Sequence, residues 1–196
     1  VDVIDVEGDA IGVMTFPANH QEIVQALITG ASPAMAHPAI VMRKGAALAA
    51  GGYRQEHVPA EDLDLWLRLI EFGQMANLKE PLLRYRMHPS ATSIRDGSRQ
   101  QATSVLLRAA ARARRGLPLL HRSFGHVLHR NAVASFHYEC VRTALSSNNR
   151  AAVIKHARAS IRRAPGWWRP YVALALSTLP PRSLALFLKI YVRLRN

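Results

Sequence analysis

Apolar and polar positions alternate from Val1 to Thr15 on either side of Glu7-Gly8-Asp9, a pattern that predicts two short strands joined by a turn. Beyond Asn19 the period lengthens. Ile23, Ala26 and Leu27 recur at i, i+3, i+4 after the polar start Asn19-His20-Gln21-Glu22, so a helix is predicted to about Thr29, with Gly30 ending it. Pro38 to Met42 is a continuous apolar run that reads as a buried strand, and Lys44 to Ala50 reads as one or two helical turns stopped by Gly51-Gly52. Asp62 to Phe72 places Leu63, Trp66, Leu67 and Ile70 on one helical face, with Gly73 as its C-cap. Met75 to Leu78 and Leu82 to Met87 read as short strands around Glu80-Pro81. From about Ser98 onward the period is helical. Helices are predicted over Gln100–Arg115, Leu119–Ser146, Asn149–Ala164, Trp168–Leu179 and Ser183–Leu194, separated by Gly116, Asn148-Asn149, Pro165-Gly166 and Pro180-Pro181. The pair meeting at Ser147–Asn149 looks like a tetratricopeptide-type hairpin, without a repeat at that period.

Strands mixed with helices, then helices alone, make the chain α+β, with a division expected into residues 1–96 and a helical extension over 97–196. A hydrophobic content of 49% with 20% charged residues excludes a disordered chain. Charge sharpens the division. The net charge is +13, and residues 1–96 hold 8 Lys and Arg against 12 Asp and Glu, whereas 97–196 hold 18 against 1, Glu139. Arginines of the second half must therefore meet water or an anionic partner such as lipid headgroups, phosphate or the acidic first half. Arg108, Arg112 and Arg115, and again Arg158 with Arg162 and Arg163, fall at helical spacing and suit an anionic membrane surface. Trp167, Trp168 and Tyr171 beside them have an interfacial composition, whereas no base-reading motif for nucleic acid is present. The lone Cys140 rules out an intrachain disulfide and reads as a small buried apolar residue. No signal peptide is recognised at Val1, and the apolar stretch Tyr171 to Leu179 is too short to cross a bilayer.

The candidate chemistry is concentrated between His37 and Ser93. Gly51-Gly52-Tyr53-Arg54 is followed by Glu61-Asp62-Leu63-Asp64-Leu65-Trp66-Leu67-Arg68, then by Tyr85-Arg86-Met87-His88. A carboxylate at a helix start can serve as a general base, held ionised by the dipole and nearby N–H groups, or can simply cap the helix. Adjacent glycines admit positive φ and close approach to a ligand, or end a helix. His88 could ligate a metal or merely close a strand. Trp66, on the apolar face, reads as core.

Taken in order and at these spacings, the set resembles the C-terminal, acceptor-side half of the GT-A fold in family 2 glycosyltransferases, an α/β fold. The resemblance implies inverting sugar transfer from a nucleotide-sugar donor to a sugar or lipid-linked acceptor. It implies Asp62 as general base with Glu61 beside it, Gly51, Gly52, Tyr53 and His37 lining the site, and His88 as one ligand of a divalent metal, Mg or Mn. The nucleotide-binding units and the Asp-x-Asp metal motif of that family would lie before Val1, and Asp2-Val3-Ile4-Asp5 has the wrong spacing to replace them. The chain is accordingly expected to hold half an active site, to be silent alone, and to act in the cytoplasm at the inner face of the membrane. The competing reading is a non-catalytic binding module whose basic half contacts lipid, nucleic acid or protein.

Overall fold

A computed structural model describes residues 1–119 and 131–180. In chain order its elements are β1 (Asp2–Ile4), β2 (Ala10–Val13), α1 (His20–Thr29), α2 (Lys44–Ala49), α3 (Glu61–Leu69), β3 (Arg84–Arg86), α4 (Thr92–Arg95), α5 (Gly97–Arg114), α6 (Ala132–Ser146), α7 (Arg150–Arg163) and α8 (Trp168–Leu176). The described chain is α+β and mostly helical. The helix expected over Ser183–Leu194 lies outside the described residues, as do residues 120–130 of the one expected over Leu119–Ser146, whose first residue, Leu119, is not helical.

Two compact units divide the chain, and neither is continuous in sequence: Thr15–Leu83 joins the segment from Arg95, while Asp2–Met14 joins Arg84–Ile94 and α6 to α8. In the first unit α3 is buried nearly all round, from Leu63 through Leu69, and packs with α1 and α5 through Ile23, Leu27, Trp66, Leu67, Leu107 and Ala111. A helix covered on every side must be mostly apolar or pair its charges internally. Asp64 and Arg68 are its charged pair, 2.5 Å apart at i, i+4. Asn19 caps α1 by accepting the Glu22 N–H at 3.0 Å, and Gly30, at φ 64°, closes it with a bond to the Ala26 carbonyl.

Three expectations for this unit are corrected. His37–Ala39 forms a 3₁₀ turn and no strand follows it. Val41 is 98% exposed, so the apolar run is not buried and has no ladder partner. Met75 to Leu78 is likewise no strand. It is held as a loop by the Asn77 side chain, which donates to the Pro17 and Ala34 carbonyls. Helix α3 ends with Ile70 as a right-handed cap, before Gly73.

The second unit sets a small sheet against a helical hairpin. β1 lies between β2, paired antiparallel, and β3, paired parallel with Val3 opposite Tyr85. The strand expected over Leu82–Met87 is thus three residues long. Helices α6 and α7 pack through Phe136, Cys140, Val141, Val153 and Ala157, with Asn149 capping α7. Cys140 is fully buried, in keeping with an apolar role. A Cβ on Gly12 would stand 2.7 Å from Ser147 Cβ, so glycine lets β2 approach the end of α6 closely, where Ser147 Oγ accepts the Val13 N–H at 2.9 Å.

Candidate active site

Four of the residues singled out in the sequence meet in the first unit, carried by three separate segments. His37 opens the 3₁₀ turn before α2, Tyr53 follows the glycine pair after α2, and Glu61 and Asp62 begin α3. His37 Nε2 lies 3.1 Å from the Tyr53 hydroxyl, and its Nδ1 lies 3.7 Å from Asp62 Oδ2. The His37 ring also stands edge-on to Trp66, with centroids 5.8 Å apart. Trp66 is buried, as its place on the apolar face requires.

Asp62 is only 24% exposed, and its Oδ1 accepts the Leu63 N–H at 2.7 Å. Burial pushes its carboxyl above the ordinary aspartate value. The Leu63 N–H and His37 pull it down, and Glu61 pushes it further up. Desolvation is the largest of these influences and sets the direction. A carboxylate so placed is a stronger base than a solvated one. Burial, Asp62 and Glu61 together raise the Tyr53 phenol, keeping it a protonated donor. Glu61 Oε2 and Trp66 Nε1 are buried without a hydrogen-bond partner among the described residues. Orphaned polar atoms of this kind are scarce in folded proteins, and here both belong to the first turns of α3.

The glycine loop is fixed from below. Gly51 and Gly52 adopt φ of 85° and 63°, conformations that favour glycine. Arg68 donates from Nη1 to the Ala50 carbonyl and from Nη2 to the Gly52 carbonyl at 2.7 Å, while also pairing with Asp64. His57 Nε2 lies 3.7 Å from the other Asp64 oxygen. Arg68 thus ties the loop that carries Tyr53 to the helix that carries Asp62. Its Asp-x-x-x-Arg spacing among Leu63, Leu65, Trp66, Leu67 and Leu69 is the available signal for that role.

Arg108 does not lie on the surface stripe that its helical spacing suggests. It turns inward from α5 and donates to the Leu27 carbonyl at 2.9 Å, and burial lowers its pKa while Asp62 raises it. Arg112 is buried as well, bonding the Pro118 carbonyl at 2.6 Å. Arg108 and Arg112 therefore turn inward, whereas Arg115 is exposed as its place in the stripe suggests.

His88 follows β3 in the second unit and is exposed. No group of three or more His, Cys, Asp or Glu among the described residues has the arrangement of a metal site, so the residues present do not by themselves fit a divalent ion. A groove along α1, lined in part by Pro17, Gln21, Gln25 and Thr29, contains none of the candidate residues. Compared with protein-family models, with curated proteins and with solved structures, the chain matches none.

Proposed function

We propose that the first unit is the acceptor-side half of a GT-A glycosyltransferase site, using a nucleotide-sugar donor and inverting the anomeric centre. The observation that carries the reading is the meeting of His37, Tyr53, Glu61 and Asp62 from three segments around one half-buried carboxylate of raised pKa. In this reaction the acceptor hydroxyl oxygen attacks the anomeric carbon, the bond from that carbon to the diphosphate breaks, and the hydroxyl proton passes to Asp62. His37 holds the carboxylate in place, and Tyr53 supports His37.

The donor-binding half, with its Asp-x-Asp, belongs to a segment outside these 196 residues in this proposal. Sugar transfer by the complete enzyme and its Asp62→Asn variant tests the assignment. Loss of about 10²–10⁴-fold in kcat is expected for a missing general base, and transfer at near the parent rate would remove Asp62 from that role. The second reading, a binding module, is favoured by the exposed Arg158, Arg162 and Arg163 on α7. It gains if the complete protein shows no sugar transfer while changes on α7 abolish a binding activity.

A further inference from the structure

Helix α8 presents its apolar residues outward. Trp168, Tyr171, Val172 and Ala175 recur at i, i+3, i+4, i+7 and all four are exposed, Trp168 by 60%. The opposite face, with Pro170, Ala173 and Ser177, is buried. A helix packed on a folded unit ordinarily turns its apolar stripe inward, and an exposed one marks a surface with a partner. The phenol of Tyr171 is anchored by donating to the Pro165 carbonyl at 3.0 Å, which holds the ring at the N-terminal end of α8.

Helix α7 carries exposed arginine. Arg158, Arg162 and Arg163 are exposed along α7, which runs into α8 through Pro165-Gly166, and the Arg169 guanidinium stands over the Trp168 ring, 5.7 Å from its centroid. Neither helix contains an Asp or Glu. The partner must therefore be anionic, and must also receive a tryptophan, a valine and an alanine. Phosphate backbones satisfy the first requirement only. A bilayer with anionic headgroups satisfies both, since guanidinium pairs with phosphate while aromatic and aliphatic side chains enter the acyl boundary.

We propose that the α7–α8 face of the second unit docks peripherally on an anionic lipid bilayer, with Trp168 and Val172 inserted and Arg158, Arg162 and Arg163 on the headgroups. The docking is interfacial, because no helix among the described residues is long and apolar enough to cross a membrane. This inference is independent of the sugar-transfer reading and is tested without any activity assay.

The full chain is mixed with vesicles of phosphatidylcholine alone, or with phosphatidylglycerol added, and sedimented at several salt concentrations. Binding is expected only to the anionic vesicles and to weaken as salt rises. Arg158→Gln/Arg162→Gln/Arg163→Gln should lower the partition coefficient by about a hundredfold, roughly fivefold per arginine. Trp168→Ser/Val172→Ser, at exposed positions that leave the fold intact, should lower it by at least about tenfold. Brominated lipid reports insertion directly. Trp66 and Trp167 are 6% and 7% exposed, so quenching of tryptophan emission by brominated chains reads Trp168. Equal binding to neutral vesicles, anionic binding without that quenching, or parent-like binding by the serine variant would each overturn the proposal. So would tighter binding to a single-stranded oligonucleotide than to anionic vesicles at equal salt.

Discussion

Asp62 is held in a state that favours its chemistry over the stability of the fold. Because burial raises its folded pKa, its contribution to stability is present below the unfolded value of 3.8 and is lost as pH rises through the folded value, so at neutral pH the ionised side chain costs stability. Asp62→Asn keeps an oxygen for the Leu63 N–H and removes the buried charge. Urea denaturation at pH 7 should show the variant at least as stable as the parent, and a marked drop in its midpoint would show that the charge supports the fold. Arg68 has the opposite balance. With side chains only 10% and 7% exposed, Arg68 and Asp64 are a buried pair, and removing one partner strands the other. Arg68→Met is expected to cost about 3–5 kcal/mol, whereas Asp64→Leu/Arg68→Met recovers part of that loss because no lone charge remains, the bonds to the Ala50 and Gly52 carbonyls staying lost. Equal losses in the single and double variants would contradict this account.

At the scale of elements, what the sequence reveals depends on whether the cause is local. Asn19 and Gly30 bound α1 as capping chemistry requires, and the apolar face of α3 follows from its spacing. The meeting of His37, Tyr53 and Asp62 was suggested by ordered motifs, but their distances depend on Arg68, whose bonds to the Ala50 and Gly52 carbonyls no periodicity can disclose. Apolar content alone made Pro38–Met42 resemble a strand, because a ladder needs a partner edge and that lies elsewhere in the chain. The inward turn of Arg108 and Arg112 was hidden for the same reason: helical spacing identifies a face and leaves open what covers it. Gly12 was silent in the sequence and is critical in the fold. Gly12→Ala should destabilise the second unit by about 1–3 kcal/mol through overpacking against Ser147. Ser147→Gly in that background should restore part of the loss, though it also removes the hydroxyl that accepts the Val13 N–H. Calorimetric midpoints of the two variants measure the rescue.

For the whole molecule, acid acts through two routes that salt can separate. The chain already carries +13, and protonating its nine histidines adds repulsion that is screened as ionic strength rises. The second route is buried and local. In the second unit His137 Nδ1 and His156 Nδ1 lie 3.1 Å apart, and their ring centroids are 5.4 Å apart, longer by about two ring radii, so the nitrogens point head-on and share a single proton. His156 Nε2 stands 3.3 Å from Asp5 Oδ2. That carboxylate is fully buried, and Lys155 and the Asp9 N–H outweigh its desolvation to keep it ionised. Burial first, then the charges of His156, Arg163, Arg162 and Lys155, bring His137 down to about 4, and burial likewise lowers His156 despite Asp5. Both folded values lie below the unfolded 6.5, so the unfolded chain binds more protons in acid. The stability from the pair is complete above about pH 6.5 and is lost as pH falls toward about 4, with a slope of up to about 1.4 kcal/mol per pH unit for each proton taken up on unfolding. Urea midpoints measured across that range at 0.1 M and 1 M salt should therefore keep a residual acid slope at high salt. His137→Phe should remove about one proton's share of it and leave the salt-sensitive part unchanged. If high salt alone flattens the parent profile, the histidine pair contributes nothing to acid sensitivity and net charge accounts for all of it.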